Sequence, residues 1–281
     1  LANGSGTAAE APDNDFVAVT DPQYPIRFTM SVEKGGYYNV KVTLANASQT
    51  EPAYVTLMTE RRHQLLTNAE IPAGETLEYE FNVDVETYYW KALNGRYNDD
   101  TLSIEVAGEN AAVSSVEVTK ADKNGTTLWM ITDSTGCDQP TNFPYVNINS
   151  LAGVGQGMTK YLPVDVALSN QGDGGLASND TNHYNCAKAG FKEGDYLYIE
   201  YGHNETSVDR YVENLQKYYD DCHAAGVKMI VVGPIDRCQT SQFNSSAGTW
   251  SPSGLPNYSE AGKAFVEEKI ADGAEDIAFV D

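Results

Sequence analysis

The chain has 281 residues, and its 41% hydrophobic and 10% aromatic side chains are typical of a globular protein rather than a disordered one. Its formal net charge of −22 disfavours anionic partners, so we expect neither nucleic acid nor an anionic membrane surface as a partner. No apolar run approaches the roughly 18 residues of a membrane span, so we do not expect insertion by a hydrophobic helix.

Residues 1–14 are mostly small or polar and are predicted to be a disordered or linker N-terminus. This segment has neither an initiator Met nor a basic stretch followed by an apolar one, so we expect any signal peptide to have been removed already. The pattern favours a secreted or cell-surface protein.

Residues 15–120 are predicted to form an antiparallel β-sandwich. Strands with one buried face alternate apolar and polar residues, and turn-forming sequences separate them. Six segments fit this description, namely IRFTMSV, YYNVKVTLA, AYVTLMT, LEYEFNVDV, LSIEVAG and SSVEVTK. Six or seven strands at this spacing suggest two packed sheets.

Residues 126–281 are predicted to form an α/β domain with a parallel sheet. Amphipathic helical patterns alternate here with five apolar runs, LWMIT, VDVALSN, DYLYIEYG, VKMIVVGP and DIAFVD. One predicted helix ends at Gly226, and another has Ser259 as its predicted N-cap. Ligands of such sheets bind at the carboxyl ends of the strands, near the topological switch point.

Polar residues follow the first three of these strands. The first strand leads into Asp133, Ser134 and Thr135, the second into SNQGDGG, and the third into YGHNE. The sheet would bring a hydroxyl group, a glycine-rich turn and a side-chain amide to one rim. Each piece also suits an ordinary turn or helix cap, and the residues alone leave both interpretations open.

The four cysteines lie in the second half of the chain, at Cys137, Cys186, Cys222 and Cys238. They lack CxxC spacing, which argues against a zinc site or thioredoxin-like chemistry. An even number in an exported chain permits two disulfides, and a bridge at Cys137 would brace the loop that carries Ser134. Buried thiols are the alternative.

The order and spacing of ITDST, NQGDGG and YGHN resemble conserved blocks of the SGNH (GDSL-like) hydrolase superfamily. EGDYLYIEYGHNE is similar to the GDYLFIQFGHND type of block in rhamnogalacturonan acetylesterases. The first half resembles the N-terminal, galactose-binding-like β-sandwich of many bacterial members. The resemblance implies a flavodoxin-like three-layer α/β/α hydrolase domain at residues 126–281, preceded by an accessory domain at residues 15–120.

The resemblance also implies roles for individual residues. Ser134 matches the nucleophile, while the backbone N–H of Gly175 and the side-chain amide of Asn204 match the donors of the oxyanion hole. The backbone N–H of Ser134 would be a third donor. Such donors stabilise the negative oxygen of a tetrahedral intermediate. Asp133 is expected to hold the turn, and His203 is expected to be structural rather than the base.

The sequence departs from the superfamily at two points. Thr132 stands where Gly usually precedes the Asp-Ser pair. None of the four histidines fits the C-terminal Asp-x-x-His block that supplies the catalytic histidine, so the catalytic His and Asp are unknown. We expect that block beyond residue 281, so that the α/β domain is truncated before it; the alternative is an incomplete catalytic site.

These features together predict a secreted bacterial carbohydrate esterase that removes acetyl groups from plant cell-wall polysaccharide such as rhamnogalacturonan. Phe243 and Trp250 lie in a long polar loop after the fourth strand and are predicted to stack on sugar rings, with packing beneath the loop as the alternative. No metal or organic cofactor is expected. The alternative function is a catalytically incomplete carbohydrate-binding or structural cell-surface protein.

Overall fold

The computed structural model describes residues 8–10, 16–85, 87–90, 94–121, 125–140, 151–235, 243–244, 246, 249–250 and 255–281. Its contacts divide the chain into two compact units, one of residues 1–127 and 138–169 and the other of residues 128–137 and 170–281. The predicted boundary placed residues 138–169 with the α/β half. They group with the first half because the short helix Val154–Met158 within them packs against the strand His63–Ile71.

The first unit consists mainly of antiparallel strands. They are β1 (Ala8–Glu10), β2 (Val17–Val19), β3 (Ile26–Ser31), β4 (Gly36–Asn46), β5 (Ala53–Thr59), β6 (His63–Ile71), β7 (Thr76–Val85), β8 (Thr87–Trp90), β9 (Gly95–Asn98), β10 (Thr101–Ala107) and β11 (Ala111–Lys120). This unit also holds α1 (Val154–Met158) and a 3₁₀ turn, Thr159–Tyr161.

Two sheets enclose the core of the first unit, in the orders β1-β2-β11-β4-β7 and β3-β10-β5-β6. Alternation along β4 explains the packing, since Val40, Val42 and Leu44 are fully buried while Lys41 and Thr43 are partly exposed. Buried residues of both sheets form one cluster, as the predicted sandwich requires.

Five strands of this unit, β1, β2, β6, β8 and β9, are not among the six predicted segments. Ala8–Glu10 was predicted to be linker, but it pairs antiparallel with Val17–Val19. Strand β6 was not predicted, because its alternation is interrupted at Asn68, which adopts a positive φ of 51°. Strands β8 and β9 pair with each other in a hairpin.

The parallel sheet is built from β12 (Thr126–Thr132), β13 (Val166–Asn170), β14 (Tyr196–Glu200), β15 (Lys228–Val232) and β18 (Ile277–Val280). A two-stranded ribbon of β16 (Phe243–Asn244) and β17 (Thr249–Trp250) is separate from it. The helices are α2 (Asn182–Gly190), α3 (Val208–Ala225) and α4 (Pro256–Ala271).

The strand order of this sheet is β13-β12-β14-β15-β18, and the pairs β12–β14, β14–β15 and β15–β18 are parallel. Counted along the chain, the order is 2-1-3-4-5, which is the order of flavodoxin-like sheets. Trp129, Met130 and Ile131 of β12 are fully buried, as expected of a central strand covered on both faces. The switch point of this order lies between β12 and β14.

The helix ends follow local sequence chemistry. The Ser207 side chain accepts a hydrogen bond from the backbone N–H of Arg210 at the start of α3, and Gly226 ends the helix with a left-handed φ of 68°. The prediction that Ser259 caps α4 is wrong. The helix begins at Pro256, because proline suits the first helical turn, where its missing N–H costs nothing.

Among the described cysteines, Cys137, Cys186 and Cys222 are buried, and none of these three is joined to another in a disulfide. Cys238 lies outside the described residues. No helix in the described part of the chain is both long and apolar enough to cross a membrane.

Candidate functional site at the carboxyl ends of the parallel strands

The turn after β12 is held from within by Asp133, which is fully buried. Its Oδ1 atom accepts hydrogen bonds from the backbone N–H of Thr135 at 2.9 Å and from the Thr135 hydroxyl at 2.8 Å. Its backbone carbonyl accepts from the N–H groups of Gly136 and Cys137. Ser134, the predicted nucleophile, lies inside this turn and is partly exposed.

A second buried carboxyl group, that of Glu200, contacts the same turn. Glu200 is the last residue of β14 and is 1% exposed. Its Oε1 atom lies 3.0 Å from the Thr135 hydroxyl, and its Oε2 atom accepts a hydrogen bond of 2.9 Å from the Tyr198 hydroxyl. Glu200 was not among the predicted site residues. It could have been found from the sequence as a charged residue within an apolar strand, two positions after a tyrosine on the same face.

These contacts limit which groups of the network can donate a hydrogen bond. The Thr135 hydroxyl has one hydrogen, so it can donate to Asp133 or to Glu200 but not to both. Both contacts are hydrogen bonds only if one carboxyl group carries a proton. Burial, and secondarily the Asp133 charge, raises the pKa of Glu200 although its hydrogen bonds lower it. When Glu200 holds that proton, it donates to Thr135, which donates to Asp133; when Glu200 is ionised, Thr135 donates to one of the two carboxylates.

Thr132, which stands where the superfamily usually has Gly, is accommodated by two glycines. Its side chain is fully buried. A Cβ atom added at Gly172 would lie 2.4 Å from Thr132 Cγ2, and one added at Gly136 would lie 2.5 Å from Thr132 Oγ1. The absence of side chains at these two positions makes room for Thr132, so the turn retains its hydrogen bonds.

The loop after β13 is bonded directly to the turn after β12. The backbone N–H groups of Gln171 and Asp173 donate to the carbonyls of Met130 and Thr132, at 2.8 and 3.2 Å. Asn170 is fully buried, and its Nδ2 atom donates to the carbonyl of Gly136 at 3.0 Å. These bonds set the position of the glycine-rich segment relative to the Ser134 turn.

Gly175 and Asn204, the predicted oxyanion donors, come from two loops that are joined by a hydrogen bond. Gly175 has φ of +79°, a conformation that favours glycine, and a Cβ atom there would meet nothing within 4 Å. The Asn204 Nδ2 atom donates at 2.8 Å to the carbonyl of Leu176, the residue after Gly175. The next residue, Glu205, accepts a hydrogen bond from the backbone N–H of Ser178. The structure thus brings all three loops to one rim.

His203, predicted to be structural, lies beside Asn204 and is partly buried. Both of its ring nitrogens are shielded from solvent and have no hydrogen-bond partner among the residues that the structure describes. The ring is therefore not oriented by a carboxylate of these residues, as the base of a catalytic triad is.

A different histidine, His183, forms an Asp–His pair at the start of α2; a second pair in the same unit joins His223 Nδ1 to Asp276 Oδ2 at 2.6 Å. His183 Nδ1 lies 2.8 Å from Asp180 Oδ1, which also accepts a hydrogen bond from the His183 backbone N–H at the start of α2. Despite burial, these bonds lower the pKa of Asp180. The His183 ring is 3% exposed, and its Nε2 atom lies 3.7 Å from Asp173 Oδ2. Asp180 and His183 have Asp-x-x-His spacing, but this pair was not predicted, because the corresponding block was expected near the C-terminus.

The two predicted sugar-stacking residues face each other across a short ribbon. Phe243 pairs with Trp250 between β16 and β17. Their side chains lie outside what the structure describes, so sugar stacking stays a prediction. In the described part of the chain, no group of three or more His, Cys, Asp or Glu residues is placed to hold a metal ion.

No model of a known protein family matches the chain, and no curated protein sequence matches it. Solved structures that align with it include YxiM of Bacillus subtilis, at 20% identity over 97% of this chain and 73% of that one, with a TM-score of 0.44. The salicylyl-acyltransferase SsfX3 of a tetracycline biosynthetic pathway aligns at 10% identity over 98% and 80%, with a TM-score of 0.42. The acetylxylan esterase Axe2 of Geobacillus stearothermophilus aligns at 17% identity over 57% and 78%, with a TM-score of 0.38. Neither a family nor a function follows from similarities of this size.

Proposed function

We propose that this chain carries the nucleophile and the oxyanion donors of an SGNH-type carbohydrate esterase. The reaction would remove acetyl groups from a plant cell-wall polysaccharide such as rhamnogalacturonan. The support comes from the hydrogen bonds that join the loop of Ser134 to that of Gly175, and the loop of Gly175 to Asn204. The motif likeness of these three loops supports the choice of family.

The main support for the proposal is the hydrogen bond donated by the Asn204 side chain. A side-chain amide has two N–H hydrogens, and among the described residues Asn204 Nδ2 donates only to the Leu176 carbonyl. One hydrogen is therefore fixed, and the second is held in a defined direction. A donor that is oriented before the reaction stabilises a developing oxyanion without reorganisation.

The proposed reaction follows the serine hydrolase pattern. Ser134 Oγ attacks the acetyl carbonyl and passes its proton to a base, while the backbone N–H groups of Ser134 and Gly175 and the amide of Asn204 bind the oxyanion. The sugar hydroxyl leaves with that proton, and water then releases acetate from the acetyl-serine. This cycle uses no metal or organic cofactor.

The proposed base is a histidine in an Asp-x-x-His segment beyond residue 281. His183 is the competing candidate within this chain. Its ring is nearly inaccessible and faces a carboxyl group at each nitrogen, so proton exchange with a substrate site is hindered. We therefore propose that the Asp180–His183 pair stabilises the start of α2 and does not take part in the reaction.

The proposed substrate and location rest on sequence features. A chain with net charge −22 is unsuited to nucleic acid, and an acetylated polysaccharide offers sugar rings for the predicted stacking at Phe243 and Trp250. We propose a bacterial enzyme that is secreted or displayed at the cell surface.

The test uses the protein extended beyond residue 281. A serine-directed fluorophosphonate should label the wild type at one peptide, the one containing Ser134, and Ser134→Ala should abolish both labelling and acetate release. Ser115→Ala, in the sandwich unit, is the control and should be labelled like the wild type. Intact polysaccharide binding without labelling of Ser134 would reject the enzyme and favour the carbohydrate-binding alternative.

A further inference from the structure

A cleft of about 520 Å³ lies on the polar face of strands β3 and β10, within the sandwich unit. Side chains alternate between the two faces of each strand, and this alternation determines which residues form the floor of the cleft. Phe28, Leu102 and Ile104 point into the core, so Arg27 and Thr29 of β3 and Thr101, Ser103 and Glu105 of β10 project from the other face. Arg27 lies directly opposite Glu105 in the strand register. The volume lies within the roughly 300–1,000 Å³ of small-molecule sites.

The walls of this cleft, called here the arginine cleft, are the turn of residues 60–62 and the segment of residues 138–140. Glu60 and Arg62 have φ of 51° and 67°, which is unfavourable for residues with a side chain. Hydrogen bonds hold the turn in this conformation. The Glu60 backbone N–H and carbonyl bond to Ser103, and the Arg61 carbonyl accepts from Gln156 Nε2 at 2.7 Å.

Three arginines line the arginine cleft, and each is anchored at one edge. Arg27 bonds to Glu105 Oε1 through Nε and Nη2, and Arg61 Nε lies 2.9 Å from Asp138 Oδ2. Arg62 donates to the carbonyls of Gln139 and Leu151 through Nη2. Within the described residues, Nη1 of Arg27 and Nη1 of Arg62 make no hydrogen bond. The Arg27 side chain is 40% exposed, and Arg62 is partly exposed.

The charge balance of the arginine cleft differs from that of the whole chain. Against three guanidinium groups stand Glu105, Asp138 and Glu60. Burial raises the pKa of Glu60 to about 8, so this carboxyl group is mostly uncharged at neutral pH. The lining of the arginine cleft then holds three guanidinium groups against two ionised carboxylates, and Asp99, beyond the lining, interacts electrostatically with both Glu60 and Arg61.

We propose that the arginine cleft binds a carboxylate-bearing sugar, a uronate. The guanidinium groups of Arg27 and Arg62 would bind the carboxylate, since arginine forms charge-assisted bonds with it. The hydroxyls of Thr29, Thr101 and Ser103 would meet the hydroxyl groups of the ring. The two ionised carboxylates that remain disfavour a dianion such as phosphate. This site shares no residue with the proposed esterase site and goes beyond that function.

Calorimetric titration of the full chain with digalacturonate and with neutral galactobiose tests the proposal. Digalacturonate should bind at least tenfold more tightly, and Arg62→Gln should weaken it by about tenfold to hundredfold. The double variant Arg27→Gln with Glu105→Gln should weaken it similarly without leaving Glu105 as an unpaired buried charge. The control Lys41→Gln removes a positive charge from the other sheet and should leave the affinity unchanged.

A second readout uses pH. Wild-type affinity for digalacturonate should fall above about pH 8, as Glu60 ionises, whereas Glu60→Gln should retain it. Equal affinity for galactobiose, equal affinity for inorganic phosphate, or an equal loss with Lys41→Gln would overturn the proposal. Hydrolysis of 4-nitrophenyl acetate by the same Arg62→Gln and Glu60→Gln variants should be unchanged. Loss of uronate binding and loss of esterase activity are therefore separable.

Discussion

Asp133 and Glu200, two buried carboxyl groups from neighbouring strands, are joined through a single hydroxyl group, that of Thr135. The O···O distances are 2.8 Å and 3.0 Å, and the Tyr198 hydroxyl closes the network on the far side of Glu200. The turn that carries Ser134 is thus anchored to β14 through Thr135, and both contacts of its hydroxyl are hydrogen bonds at once only while one of the two carboxyl groups is protonated.

Glu200→Gln should remove a pH dependence. The folded-state pKa of Glu200 is raised above its unfolded value, so the native state binds more protons and stability falls as pH rises through the folded pKa. Glutamine is neutral at all pH values and can still donate to Thr135 and accept from Tyr198. The variant should therefore lose less thermal stability than the wild type as pH rises above 4.5, the ordinary pKa of a glutamate.

Thermal melts from acid to alkaline pH measure this effect. Glu267→Gln, an exposed glutamate on α4, is the control and should follow the wild-type curve. If Glu200→Gln melts in parallel with the wild type across the whole range, folding does not raise the pKa of Glu200.

Thr132 and Gly172 should be coupled in a double-mutant cycle. Gly172→Ala forces a Cβ atom against Thr132 Cγ2 and should cost about 1–3 kcal/mol of unfolding free energy. In a Thr132→Gly background the same change should cost less, by about 0.5–3 kcal/mol. Urea denaturation measures these differences. Gly174→Ala, where the added atom meets nothing within 4 Å, is the matched control; additive effects of Thr132→Gly and Gly172→Ala would disprove the coupling.

Asn204→Ala should lower acetate release by roughly 10²–10³, because it removes the proposed oxyanion donor. Asn204→Asp should be at least as damaging, since a carboxylate repels the oxyanion. The rate is measured with the protein extended beyond residue 281. Asn185→Ala, on the exposed side of α2, controls for nonspecific effects, and an unchanged rate in Asn204→Ala would remove Asn204 from the site.

His183→Gln should reduce acetate release by less than about tenfold, whereas loss of a general base costs roughly 10²–10⁴. The reason is that His183 is buried between Asp180 and Asp173. Rates measured across a pH series distinguish a structural role of His183 from a role as general base. Loss of the base removes the decrease in rate at acidic pH, whereas a structural change leaves that decrease in place. A loss of several hundredfold together with the loss of that decrease would make His183 the base.

Element type was predictable wherever the periodicity was uninterrupted. Strand β12 and helix α3 followed from an apolar run and from a spacing of three and four residues, because these periods come from backbone geometry. Strand β6 was missed, since Asn68 breaks its alternation, and β1 was missed because it is only three residues long. Short or interrupted strands depend on pairing with distant partners.

The amino-acid order alone established two halves with different architectures, an acidic surface, and three polar segments at the ends of parallel strands. Each of these is a local property, set by side-chain chemistry and backbone period. Folding was needed to show that Thr135 bridges Asp133 and Glu200, that Gly136 and Gly172 make room for Thr132, and that three arginines line one cleft. The longest of these relationships join residues 35 positions apart (Arg27 and Arg62), 40 apart (Thr132 and Gly172) and 65 apart (Thr135 and Glu200). Such pairs depend on sheet register and on how the loops pack, which no short window of sequence contains.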